Sequence, residues 1–432
     1  MKKSLLTLLT IVVLFYSLVA EAQYHIRFNF TQAQGDMPSA GLALGANDVL
    51  FNSTSSDGSG GCTSGPGYGS VGYYDTTTKT GGQFYHFCNS AFAGSPGQII
   101  VDNSGVIWGS TSQGGDATCQ CGVLFKLVCS GTCPESGTWT LTVLHKFVGG
   151  SNDGYGSVWI ALDSSGNIFG TSTSGGNSCV SLSIGTCGLV FEYSSAGVYS
   201  ILYKFSANGG PAAPGAAPII DGNGIIGNEV LYGTSLDGGI GAAPGFGTVW
   251  SLTPVIIGPG DTVWMEKTIY KFTGVPDGLL PWGSLYLSGS TLYGTTFGGG
   301  NGGNTCLFFN TDVSCGTVYK VTLTGTETIL HNFSGSGTDG YEPVSNLTVD
   351  SSGNFYGTTR AGGTSGSFGT VFEITSGGTY SQLHQFSGPT SDGAYPGPSV
   401  TPIGTTLWGL TSGGGNCGGG SGSNCGILYS WQ

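Results

Sequence analysis

Any chemistry in this chain has to come from 5 histidines, 12 cysteines and 24 carboxylates, set against 11 basic residues in a length of 432. Three of the histidines, His145, His331 and His384, share the setting Leu-His-x-Phe. A general base works beside a nucleophile and an orienting acid, and no such pattern surrounds them. The equivalent place elsewhere holds Phe28, Tyr85, Tyr203 or Tyr270, so these histidines are expected to fill aromatic-sized space. The carboxylates fall into two recurring series. Asp102, Asp163, Asp221 and Asp350 open Asp-x-x-Gly turns, in which the carboxylate caps backbone N–H groups and glycine supplies the positive φ. Asp153, Asp277, Asp339 and Asp392 are each followed by glycine, again a turn preference. Acids that recur once per repeat are accounted for by the repeat, and no unique acid pair suited to glycoside hydrolysis is left over. Calcium-loop and phosphate-loop motifs are absent, so neither a metal nor a cofactor is expected.

The cysteines read as staples. Cys179 with Cys187, Cys306 with Cys315 and Cys417 with Cys425 occupy one recurring position, the partners 8 or 9 residues apart. Closing so short a loop stabilises by about 2.5 kcal/mol in the chain-entropy view. No histidine lies near these loops to complete a mixed zinc site. Cys62 with Cys88 and Cys129 with Cys133 are further expected pairs. Cys119-Gln120-Cys121 is expected to close on itself, the alternative being two free thiols. An even number of cysteines, paired, belongs to an oxidising compartment.

A repeat positions all of these residues. An aromatic residue, then Gly or Asn, then small hydroxyl-rich residues recur seven times, beginning at Phe51, Trp108, Phe169, Tyr232, Tyr293, Tyr356 and Trp408, about 60 residues apart. Each unit reads as four short strands. Strand A is an apolar stretch such as Trp159-Ile160-Ala161-Leu162, followed by the Asp-x-x-Gly turn. Strand B carries the aromatic block and leads into a glycine-rich loop. Strand C is of the type Cys315-Gly316-Thr317-Val318-Tyr319, and strand D ends in Leu-His-x-Phe. The 82 glycines are therefore one unit's turns multiplied sevenfold. They lack the every-third-residue period of collagen, and the 38% apolar content supplies a core. Seven such units predict an all-β fold, a seven-bladed β-propeller with four-stranded blades, filling residues 23–432 as one domain. The last unit, 398–432, stops after strand C, while residues 24–30 read as a strand D without a unit. The N-terminal strand is therefore expected to complete the last blade and close the ring, which an open solenoid would not require.

The run Leu162-Asp163-Ser164-Ser165-Gly166-Asn167-Ile168-Phe169-Gly170-Thr171, the Gly-Gly loop, Cys/Phe-Gly-Thr-Val-Tyr/Phe and Leu-His-x-Phe resemble the tandem repeats of choice-of-anchor GloVer-containing bacterial extracellular proteins. The resemblance covers nearly all of the chain beyond residue 22. It implies a secreted or surface-attached repeat protein with no settled biochemical role. Such proteins often end in an anchoring or sorting segment, whereas this chain stops inside its last blade, so a freely secreted form is expected.

Residues 1–22 read as a signal peptide: Lys2-Lys3, an apolar run from Leu5 to Ala20, and Ala20-Glu21-Ala22 as the cleavage pattern. No later segment approaches the ~18 apolar residues of a membrane span. Cleavage would leave 9 basic and 23 acidic residues, too few cations to track a phosphate backbone. A secreted monomer is expected, with neither nucleic acid nor membrane as partner, acting as a non-catalytic scaffold for an extracellular ligand, carbohydrate or surface protein. In a propeller the B–C and D–A connections share one face. The candidate ligand residues on it are Asp153, Tyr155, Asp277, Asp339, Tyr341, Asp392 and Tyr395, since aromatic rings beside carboxylates suit flat sugar faces. The alternatives are a polysaccharide-active enzyme with its site at the same mouth, and a protein of surface assembly.

Overall fold

The computed structural model describes residues 23–31, 36–38, 40–56, 62, 67–88, 94–179, 186–206, 210–222, 229–239, 245–259, 261–301, 306–308, 311–313, 315–336, 338–363, 367–389, 392–416 and 425–432; the expected signal peptide and Cys417 lie outside them. Seven antiparallel sheets stand in a ring as a seven-bladed β-propeller. In blade 2, strands A to D are Gly94–Val101, Ile107–Gln113, Val123–Ser130 and Thr138–Lys146. Blade 3 repeats the order with Gly154–Leu162, Ile168–Gly175, Leu189–Tyr193 and Tyr199–Lys204. In blade 4, strand A is split into Pro211–Pro214 and Ile219–Asp221, and strands C and D form a long hairpin, Thr248–Gly258 and Asp261–Lys271. Blade 7 contributes only Gly393–Ile403, Thr406–Gly414 and Ile427–Trp431 from the end of the chain. Its fourth strand is Tyr24–Asn29, antiparallel to strand C with Tyr24 opposite Trp431 and Asn29 opposite Ile427. The backbones of Gln23 and Gln432 exchange two hydrogen bonds beyond that ladder.

The repeated residues have specific tasks within a blade. The strand B glycine faces the strand C aromatic: Gly109 faces Phe125, Gly170 Phe191, Gly233 Trp250, Gly294 Tyr319, Gly357 Phe372 and Gly409 Tyr429. A Cβ at Gly170 or Gly233 would run into the ring opposite. Blade 1 inverts the arrangement, with Asn52 facing Gly72, so each pair still contains one glycine. The phenylalanine that ends each strand D (Phe30, Phe87, Phe147, Phe205, Phe272, Phe333, Phe386) is at most 3% exposed, a burial that stabilises by about 2 kcal/mol per ring. In all seven blades its N–H donates to the carbonyl of the glycine that opens strand C.

Neighbouring blades are clamped by the first hydroxyl of the aromatic block. Ser53, Ser110, Thr171, Thr234, Thr295 and Thr358 donate to strand A carbonyls of the next blade, those of Gly97, Val158, Ala216, Gly283, Ser345 and Gly397, at 2.6–3.3 Å. Leu410 takes that place in blade 7 and packs with Leu50 and Phe30 of the next blade and its own. Disulfides join Cys62–Cys88, Cys119–Cys121, Cys129–Cys133, Cys179–Cys187 and Cys306–Cys315. Among the described residues no helix is long and apolar enough to cross a membrane.

Candidate functional site

The four Asp-Gly acids sit in the outer wedges between blades, and each is saturated with donors. Asp153 follows strand D of blade 2. Its Oδ2 accepts from His145 Nε2 (3.0 Å) and the Val148 N–H (2.9 Å), and its Oδ1 from the Gly154 N–H (2.7 Å) and the hydroxyl of Tyr199 in blade 3 (2.8 Å). The His145 and Tyr199 rings stack 3.7 Å apart and nearly parallel. The arrangement recurs twice. Asp339 takes the Tyr380 hydroxyl and lies 3.5 Å from His331, which stacks on Tyr380. Asp392 takes His384 and, from the N-terminal strand, the Tyr24 hydroxyl, with His384 stacked on Tyr24. The histidines thus fill aromatic-sized space as expected; His145 and His384 are also hydrogen-bonded to their acids and His331 lies within ion-pair distance of its own, a role not read from the sequence.

Electrostatics agree with a structural assignment. Burial alone would raise these carboxyls, but the histidine, the tyrosine hydroxyl and the backbone donors outweigh it and hold Asp153, Asp339 and Asp392 below the usual carboxylate range. Burial and the neighbouring carboxylates push the hydroxyls of Tyr24, Tyr199 and Tyr380 upward, so they remain donors. Asp277 is a variant: Tyr270 and Thr273 supply Oδ2 and the Gly278 N–H supplies Oδ1. Glu327 begins strand D of the next blade, the place of Tyr199. Burial, then the charge of Asp277, raises Glu327 to about 7. The A–B turn acids behave as caps, Asp102, Asp163 and Asp350 each accepting two backbone N–H groups.

The three candidate tyrosines part company. Tyr155 and Tyr341 occupy equivalent positions and pack inward at the junction with the preceding blade, Tyr155 in the cluster with Cys121 and Phe147 and with its hydroxyl 3.4 Å from Thr186, and Tyr341 in the cluster around Cys306 and Cys315. Tyr395 stands one residue further along its strand and is 40% exposed.

A different set of residues surrounds the axis. The strands A of all seven blades enclose a cavity of about 480 Å³, a size that accommodates a small-molecule ligand. Serines, Gln98 and Asn346 line it together with two indoles, Trp159 and Trp282, and with aliphatic residues such as Leu42, Ile99 and Val344. None of its lining residues is ionisable. Among the described residues, no three of the His, Cys, Asp and Glu side chains come together as metal ligands. The channel residues were not picked out from the sequence, although a signal exists: most of them lie in the three positions after a proline that recurs at the start of strand A, as in Pro96-Gly97-Gln98 and Pro281-Trp282-Gly283-Ser284.

A sequence model described as the Gloeobacter/Verrucomicrobia repeat matches residues 180–422, more than half of the chain. No curated protein matches. Among solved structures, a gluconolactonase from Xanthomonas campestris is similar at 12% identity and a TM-score of 0.41, over 78% of this chain and 86% of that one. A luciferin-regenerating enzyme is similar at 10% identity and a TM-score of 0.43, over 95% of both chains. TolB from Acinetobacter baumannii is similar at 11% identity and a TM-score of 0.37, over 72% of this chain and 58% of that one. Likeness at this level says nothing about activity.

Proposed function

The chain belongs to the Gloeobacter/Verrucomicrobia repeat family, and from that premise we propose that it is a secreted, non-catalytic binding protein whose axial channel holds an uncharged polar ligand of carbohydrate type. The observation that carries this reading is the chemistry of the channel wall: serine hydroxyls, two side-chain amides and two indoles set among aliphatic residues and prolines, with no charge. A serine hydroxyl both donates and accepts, which matches the hydroxyls of a sugar, and an indole offers a flat apolar surface to the sugar ring. A charged ligand would be desolvated there without a counter-ion.

The same wall weighs against polysaccharide hydrolysis. That reaction uses two carboxyl groups about 5–10 Å apart across the scissile bond, whereas none of the residues lining the channel carries a carboxyl group and the four Asp-Gly aspartates are tied up by donors in the wedges. Five disulfides favour action outside the reducing cytoplasm. The test is an array of neutral and charged oligosaccharides probed with the purified protein and with Trp282→Ala. Binding of a neutral glycan, weakened about tenfold or more by the substitution, supports the reading. Absence of glycan binding, or binding indifferent to Trp282, overturns it.

A further inference from the structure

Two residues of the channel wall carry side-chain amides, and in both the amide is held one way round. Gln98 of blade 2 accepts from the Ile160 N–H of blade 3 at 3.3 Å through its Oε1, and Asn346 of blade 6 accepts from the Ser284 N–H of blade 5 at 2.6 Å through its Oδ1. Only the oxygen of an amide side chain can accept from an N–H, so these bonds fix which end of each group is which. Both side chains are half-buried in the wall, and among the described residues neither nitrogen donates to the protein. Each amide therefore keeps as its free end an NH2 group, which donates and cannot accept. Serines of the wall are committed the other way. Ser55 and Ser284 donate to the carbonyls of Met37 and Ala217, each at 3.2 Å, and Ser110 donates to that of Val158 at 2.7 Å. With its proton engaged, such a hydroxyl has only lone pairs left to offer.

The amides are also paired with the indoles. Gln98 and Trp159 hold the same place in successive blades, one residue before Ile99 and Ile160, which face the strand B glycines Gly109 and Gly170. The bond to Ile160 brings the Gln98 amide against the backbone next to Trp159. On the other side of the ring, the bond to Ser284 brings the Asn346 amide to a residue two positions after Trp282. In a ring of seven, blades 2 and 3 face blades 5 and 6. The wall between them is built of small residues, Gly215 and Ala216 on one flank and Gly41 and Ser399 on the other. The lumen thus has two facing sides, each with a flat apolar ring and an N–H donor near it, and serine acceptors around them.

Resting on the proposed binding of a neutral glycan, we infer that the sugar is an acetamido sugar, an N-acetylhexosamine. Its apolar ring face lies on an indole, its acetamido carbonyl accepts from the amide NH2 of the same side, and its hydroxyls and acetamido N–H donate to the serines. A carbonyl oxygen has lone pairs and no proton, the complement of a donor that cannot accept. The hydroxyl of a plain hexose at that point brings a proton that the amide nitrogen cannot take. The test is titration calorimetry with two matched pairs, N,N′-diacetylchitobiose against cellobiose and N-acetyllactosamine against lactose, whose members differ only in carrying an acetamido group or a hydroxyl. The acetamido member of at least one pair should bind the wild type about tenfold or more tightly than its counterpart. Gln98→Glu and Asn346→Asp keep the oxygen that accepts from Ile160 or Ser284 and remove the NH2 group. They should therefore melt close to the wild type and lose about tenfold in affinity for the acetamido sugar, with the hydroxyl counterpart little changed. An equal loss for both members, or wild-type affinity in both variants, would show that the amides only hold the wall and would overturn the inference. Binding of neutral sugars by the wild type with no preference in either pair would overturn it without any variant and leave the neutral-glycan channel standing. A wild type that binds no neutral glycan would remove both.

Discussion

Rim and axis are made from the same seven units and treat their polar groups in opposite ways. In the outer wedges, histidine, aspartate and tyrosine stack and bond until every carboxylate oxygen has a donor. Around the axis, uncharged side chains face an open cavity. The rim holds groups that elsewhere perform acid–base chemistry, but here they join one blade to the next. In a repeat protein, ionisable groups that return at a fixed position mark assembly, and the positions where equivalent residues differ are where a ligand can be recognised. The channel mouth fits the second description and the wedges the first.

The hardest test of that contrast is Asp392→Ala. It removes the acceptor of the His384 ring, the Tyr24 hydroxyl and the Ser387 and Gly393 N–H groups, in the wedge that holds the N-terminal strand. Leaving such partners buried and unpaired costs about 3–5 kcal/mol, to be measured by urea unfolding. Trp282→Ala at the axis, already 38% exposed, is expected to cost less than about 1 kcal/mol. Equal losses would erase the distinction between rim and axis.

Two junctions test whether the acid itself is required. Before blades 2 and 4 the place of Asp153 is taken by Phe92 and Gly210. There the C–D hairpin is longer and carries a tryptophan that lies over the preceding blade. Trp139 stacks on Phe84 at 4.3 Å and meets Phe51 edge-on, and Trp264 meets Phe169 edge-on. Trp264→Ala should cost about 2 kcal/mol, and the loss should not vary with pH. Asp153→Ala should cost more at neutral pH. Because the folded carboxyl lies below its unfolded value, its contribution is complete above about pH 4 and disappears as pH falls further, so the gap between mutant and wild type should close in acid.

The wild-type pH profile should also have an upper limb. Glu327, near 7, and Asp237, raised to about 6 by burial, take up protons on folding. Stability should therefore fall as pH rises from about 4.5 through 7. Glu327→Gln should flatten that limb by a few degrees in a calorimetric melting series. A series that keeps its slope in the variant would place the proton uptake elsewhere.

The ring and its closure were legible because each blade repeats the same local demands: a glycine under an aromatic, a phenylalanine ending strand D, a turn acid. The wedges were not legible, because comparing repeats at the same position cannot show a contact between different positions in successive repeats. His145 meets Asp153 and then Tyr199, one unit on. The trace was present all the same. A strand D that holds histidine is followed one unit later by one that begins with tyrosine, as His331 is by Tyr380 and His384 by Tyr24, whereas Tyr270 is followed by Glu327. The channel was hidden for another reason. Its walls are chemically unlike from blade to blade, and only the recurring prolines mark where they begin.

The finest division between rim-like and axis-like behaviour lies within one strand. Ser110 and Ser112 both border the cavity. The Ser110 hydroxyl is buried and donates to the Val158 carbonyl of the next blade at 2.7 Å. Ser112 is exposed, its hydroxyl held at 3.4 Å by the Ser95 carbonyl. Ser110→Ala removes a short clamp and leaves a buried carbonyl unpaired, a loss of about 1 kcal/mol, while the ligand should notice little. Ser112→Ala should change stability by less than about 0.5 kcal/mol and weaken glycan binding severalfold. If both serines affected stability alone, the hydroxyls around the axis would be clamps like those of the rim, and the channel would be a seam between blades rather than a place for a ligand.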